Sequence, residues 1–97
     1  MSTLCQTSKN KYNGNIADES YKLSKNILDN MVKSTGAKSR GVTRTDTMSG
    51  INWSDVPVTI IEMGFLSNEE EDKLLASSNY QEKLVQGMVN GINAFFK

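Results

Sequence analysis

Between Ile16 and Thr35 apolar residues recur at helical intervals. Tyr21, Leu23, Ile27, Leu28, Met31 and Val32 follow one another at spacings of three and four, which puts them on one face of a helix. Asn15 or Asp18 is placed to cap its start, and Gly36 suits the left-handed position after its end. The stripe reads as core packing. A second stripe of Tyr80, Leu84, Val85, Met88, Ile92, Phe95 and Phe96 predicts a last helix from about Tyr80 to Phe96. Gly87 and Gly91 lie four apart within it, a spacing that suits a close approach to a sheet or another helix.

The segments between the helices follow other patterns. Val56 to Met63 is β-branched and lacks strict alternation, so it predicts a strand buried on both faces, as in a parallel sheet. Pro57 falls near its first position, where a missing N–H is tolerated. Gly41-Val42-Thr43 predicts a shorter strand. Residues 45–55 read as a loop with Met48, Ile51 and Trp53 as apolar anchors. Ser67-Asn68-Glu69-Glu70 matches a capping box. It predicts a short acidic helix through about Ala76, with Asn68 as a cap residue and Glu69 to Asp72 at the positive end of the helix dipole. Residues 1–14 are polar, end in the turn signal Asn13-Gly14, and read as loop or a frayed strand. One or two strands cannot hide both faces and both edges of a sheet. The pattern is that of the second half of a larger α/β domain, and exposed strand edges predict pairing with a missing half or with a second copy.

Composition narrows the chemistry. Ninety-seven residues make one domain or part of one. A chain this short buries only about 60–65% of its extended surface. Formal net charge is zero, which argues against a general polyanion binder. Residues 1–44 carry eight basic and three acidic groups, and residues 45–97 carry three and eight. The plain reading is two solvated faces of opposite sign, and no nucleic-acid-binding signature accompanies them. There is no histidine, and Cys5 is the one cysteine. These counts exclude an internal disulfide, a Cys–His nucleophile and metal sites built from Cys and His. No apolar run approaches the roughly 18 residues of a membrane span. The first residues lack the basic and apolar regions of a secretory signal, so the chain as written is expected in the cytoplasm.

Glu62 stands out against this background. It ends the apolar run of Val56 to Ile61, where a buried charge costs several kcal/mol unless paired, hydrated or bound. Such carboxylates concentrate at sites that do chemistry. On periodicity alone the plainer alternative is favoured, a strand-end carboxylate paired with lysine or capped by backbone N–H groups.

Pro57-Val-Thr-Ile-Ile-Glu62-Met-Gly-Phe-Leu-Ser-Asn68 is similar to the late signature of the zinc-dependent N-acetylmuramoyl-L-alanine amidases, the peptidoglycan hydrolases of autolysins and endolysins. Arg40-Gly41-Val42 resembles the family's step before its penultimate strand. Gly50-Ile51-Asn52-Trp53 ahead of Val56-Pro57 looks like clostridial members. The likeness covers residues 12–97, the C-terminal part of an amidase catalytic domain, and leaves 1–11 as an unmatched N-terminal segment. It implies an α/β fold, part of a three-layer domain with a mostly parallel sheet and helices on both faces. It also implies hydrolysis of the amide between N-acetylmuramic acid and the L-alanine of the stem peptide, at the cell wall. By the same resemblance Zn2+ is the cofactor, held by two histidines and a glutamate of the N-terminal half. Glu62 then corresponds to the glutamate that assists the metal-bound water. Arg40 is a candidate for contact with substrate carboxylates, and Trp53 for stacking on a sugar ring. Against those two stand an ion-paired surface arginine and a core-packed loop anchor. The zinc ligands have no counterpart in this chain, so it is expected to bind no tight zinc and to be inactive alone. Peptidoglycan and a missing N-terminal half-domain are the partners implied. The alternative is a non-catalytic remnant, or a wall- or partner-binding module.

Overall fold

A computed structural model of the chain describes residues 1–64 and 69–97. Phe65 to Asn68, and with them the start of the capping box, lie outside the described residues. The elements in chain order are β1 (Ser2–Cys5), a 3₁₀ turn (Gly14–Ile16), α1 (Ala17–Thr35), β2 (Val42–Arg44), α2 (Ser49–Asn52), β3 (Ile60–Glu62), α3 (Glu69–Leu75) and α4 (Ser78–Phe95). The architecture is α/β, as the pattern predicts. The three strands form one sheet in the order β2-β1-β3, with β1 parallel to β2 and antiparallel to β3. α1 packs on β1 and β2, and α4 packs on α1.

The central strand is a segment expected to be loop or a frayed strand. Its side chains are polar, but partners satisfy them. Thr3 is fully buried and its hydroxyl donates to the Ser24 carbonyl of α1 at 3.1 Å. Both backbone edges of β1 are paired, so small polar side chains are tolerated beneath the helix. β3 is shorter than the 56–63 strand expected from its residues, and it is not buried on both faces. Val56 is exposed, while Ile60 and Ile61 are half-buried. Before Ile60, hydrogen bonds that involve side chains replace the ladder. Val58 N–H donates to Ser20 Oγ at 3.0 Å, and the Thr59 hydroxyl donates to the Leu4 carbonyl at 3.2 Å. Pro57 has no N–H to contribute.

α1 ends at Gly36, whose φ of 74° is left-handed and whose N–H donates to the Val32 carbonyl at 2.8 Å. Its start differs from expectation. The N-cap is Ile16, with no side-chain cap, because the 3₁₀ turn leads directly into the helix. The Ser77 hydroxyl caps α4 by accepting from the Tyr80 N–H. Met1, Ile27, Leu28, Met31 and Leu84 form the core, with Val42, Ile61, Tyr80 and Met88 packed around it. Gly87 and Gly91 set the distance between the two long helices. A Cβ on Gly87 would lie 2.6 Å from Met31 Cα, and one on Gly91 would lie 2.5 Å from Ile27 Cα. The glycine pair therefore marks an approach of helix to helix.

Candidate functional site

Alternation along β3 separates its residues. Ile61 joins the core beneath α1, and Glu62 faces the opposite side of the sheet. Glu62 is paired in register with Ser2, and Ser2 Oγ donates to its Oε2 at 3.1 Å. The carboxylate is exposed, so the burial cost anticipated for it does not arise. It is open to solvent and accepts from one hydroxyl, that of Ser2.

Topology decides which of the other expected residues join it. β2 runs parallel to β1 and β3 runs antiparallel, so the start of β2 and the end of β3 flank the same end of β1. Arg40 N–H donates to the Met1 carbonyl at 2.7 Å, directly before β2. Arg40 and Glu62 therefore sit at one end of the sheet, on either side of Met1-Ser2. Trp53 does not. It follows α2 at the other end, which is tied to the loop after β1 by Asn13 Nδ2 donating to the Ile51 and Ser54 carbonyls at 2.7 and 2.8 Å. Trp53 is 82% exposed, so it is not a core anchor either; the fully buried Ile51 fills that role. The segment read as loop holds the one-turn helix α2 around it.

Two features escaped the sequence. One is Ser2, an unremarked hydroxyl that only the β1–β3 register carries to Glu62. The other is a polar cluster at the far end. Asp46 accepts from the Thr7 hydroxyl at 2.6 Å, the Thr7 N–H at 2.9 Å and Asn10 Nδ2 at 3.0 Å. The Thr7 hydroxyl is the largest cause holding the Asp46 carboxyl below its ordinary range, followed by the Thr7 N–H. The density of Asn, Asp and Thr in residues 7–13 and 45–52 was the available signal.

The side chains do not fit a zinc site. The chain has no histidine, and no group of three or more Cys, Asp or Glu gathers among the described residues. Cys5 is fully buried. Burial pushes its thiol up, against smaller lowering effects of the Ser24 hydroxyl and Arg44, so it is held as an inert thiol. A cavity of about 270 Å³ lies near the Glu62 end, lined by Met1, Lys38, Met63, Tyr80 and Lys83 among others, but Glu62 is not among its walls.

Residues 5–94 match the family described as N-acetylmuramoyl-L-alanine amidase. The chain is 32% identical over 79 residues to the uncharacterized protein YqiI of Bacillus subtilis, covering 81% of this chain and 38% of that protein. It is 33% identical over 75 residues to the probable N-acetylmuramoyl-L-alanine amidase AmiB of Haemophilus influenzae, covering 77% of this chain and 17% of that one. Its fold is similar to the CwlD amidase of Clostridioides difficile, solved in complex with the GerS lipoprotein. That likeness has a TM-score of 0.84 and 30% identity, over 98% of this chain and 45% of that chain. The chain thus spans less than half the length of these relatives. With nearly its whole length matched and its fold shared, the chain belongs to the N-acetylmuramoyl-L-alanine amidase family.

Proposed function

We propose that this chain supplies the catalytic carboxylate, Glu62, to a peptidoglycan amidase site completed by sequence outside residues 1–97. The observation that carries the reading is the position of Glu62: exposed at the C-terminal end of β3, with one oxygen held by Ser2. The other oxygen is available to a water molecule. In this role Glu62 accepts the proton of a water whose oxygen bonds to the amide carbon. It returns that proton to the nitrogen as the C–N bond breaks, leaving a carboxylate and an amine. The substrate bond is the amide between the lactyl group of N-acetylmuramic acid and L-alanine, and the place of action is the cell wall. Arg40, at the same end of the sheet, is assigned in this reading to contact with the stem-peptide carboxylates. Trp53, exposed at the other end of the sheet, is given no role in this reading. A zinc ion would need ligands from outside the chain, since the described residues gather no group of three or more Cys, Asp or Glu and the chain has no histidine. The partner that supplies them is the remaining portion of an amidase domain.

The test replaces the matching segment of a full-length family member with residues 5–94. Stem-peptide release from peptidoglycan and bound zinc are then measured side by side. Glu62→Gln is expected to lower the rate by about 10²–10⁴ while leaving zinc content unchanged. Full rate in the variant would make Glu62 structural. Loss of zinc would make it a ligand.

A further inference from the structure

We propose that Asn13-Gly14 is a site of covalent self-modification which the folded chain suppresses, and that molecules modified there while unfolded do not return to the native fold. This goes beyond the catalytic reading and does not depend on it. Asparagine is a chemically labile residue, and a following glycine leaves the attacking nitrogen unshielded by any side chain. The Gly14 nitrogen gives up its proton and bonds to Asn13 Cγ. The Cγ–Nδ2 bond breaks, ammonia leaves with that proton, and a cyclic imide remains. Solvent water then adds across one C–N bond of the ring. Attack at Cγ gives aspartate, and attack at the backbone carbonyl carbon gives isoaspartate.

Packing fixes both residues of this labile pair and guards them. Gly14 opens the 3₁₀ turn, where an added Cβ would overlap the Ser8 carbonyl oxygen. Asn13 is only 3% exposed. Its Nδ2 spends both hydrogens, on the Ile51 and Ser54 carbonyls at 2.7 and 2.8 Å. The reacting nitrogen is engaged as well, since the Gly14 N–H donates to the Asn10 carbonyl at 2.9 Å. Attacking group and leaving group are therefore both held, and the amide is shut off from water. The product does not fit the same place. A carboxylate only accepts, so an aspartate at position 13 would turn an oxygen toward two carbonyl oxygens and bury a charge. Asp46 is close by, because Asn10 bonds both the Asn13 N–H and Asp46 Oδ1. Isoaspartate would add a backbone methylene to the same tight turn. Asn90-Gly91 provides the contrast within one molecule. Asn90 is exposed, and its Oδ1 accepts from Gln86 Nε2 at 2.9 Å, a bond that a carboxylate keeps.

The experiment incubates the full chain in mildly alkaline buffer with and without urea. Peptide mapping by mass spectrometry reads amide-to-acid conversion at Asn13 and Asn90. Conversion at Asn13 is expected in urea, and at least about a hundredfold more slowly in buffer, where the chain must first unfold. Equal rates in the two conditions overturn the proposal, because the fold then gives no protection. Conversion of Asn90 without Asn13 in urea also overturns it, because Asn13 is then not labile. The urea sample is next diluted into buffer, and its folded fraction is isolated by size exclusion. Acid at position 13 is expected to be missing from that fraction. Acid there at the level of the unfractionated sample overturns the exclusion of modified molecules. Two variants stand in for the aspartate products. Asn90→Asp is expected to unfold at the midpoint of the parent chain, and Asn13→Asp to lose the cooperative transition or show a much lower midpoint. An Asn13→Asp chain as stable as Asn90→Asp sinks the proposal by a second route.

Discussion

The two faces of the sheet are made by alternate residues of the same three strands, yet they are built on different terms. On the face beneath α1, Thr3 and Cys5 are fully buried, and Val42 and Ile61 pack on the core. Every polar atom there must find a partner in the helix, as Thr3 does at Ser24. On the other face Leu4 and Ile60 are half-buried, and Thr43 and Glu62 are exposed. A carboxylate is tolerated on that face because it is open to solvent and accepts from the Ser2 hydroxyl. Packing specifies the first face. The second is open, and it is there that Glu62 is proposed to act.

This contrast is sharpest where packing is tightest. Gly91→Ala would put a Cβ 2.5 Å from Ile27 Cα and 2.9 Å from the Asn26 carbonyl oxygen. Backbone atoms cannot step aside as a flexible side chain does. A net loss of about 1–3 kcal/mol is expected in denaturant unfolding, even after a gain of up to about 1 kcal/mol in helix propensity. An unchanged midpoint would mean that α1 and α4 do not pack this closely.

A smaller effect is expected at the polar cluster that joins β1 to the loop before α2. The Thr7 hydroxyl and N–H hold the Asp46 carboxyl below 3.8, its ordinary value, and burial opposes them weakly. The folded state therefore favours the ionised form. Its contribution to stability is complete above pH 3.8 and is lost as pH falls through the folded value. Asp46→Asn should destabilise the chain at neutral pH, and the gap between the two proteins should close in acid. Unfolding midpoints from pH 7 downward check this; a gap that stays constant would remove Asp46 ionisation from the account.

The smallest effect is expected on the open face. Glu62→Gln keeps size and the Ser2 contact, so stability should change by no more than about 0.5 kcal/mol. Together with a large loss of rate in the completed domain, that result would separate chemistry from packing at one residue. A loss of several kcal/mol would show that the carboxylate is part of the fold.

Much of the helical layer is legible in the residues. The apolar stripes of α1 and α4, the stop at Gly36 and the close approach at Gly87 and Gly91 all depend on neighbours three or four positions away. Glu62 was singled out through the residues around it, and its catalytic role is the proposal made above. Arg40 came with the same resemblance, but its place at Glu62's end of the sheet did not. Trp53 looked like an anchor because large aromatics are usually buried, while the smaller Ile51 two positions earlier is the residue that fills the core.

The sequence by itself therefore determined the helices, their contact face and the family, because helical period and signature are local. Only tertiary structure decided the sheet. The polar segment Ser2–Cys5 became its central strand, β3 turned antiparallel to it, and Ser2 met a carboxylate 60 residues away. A strand has no internal hydrogen bonds to announce it. Its existence, direction and register depend on which distant backbone offers partners, and that is settled only when the chain has folded.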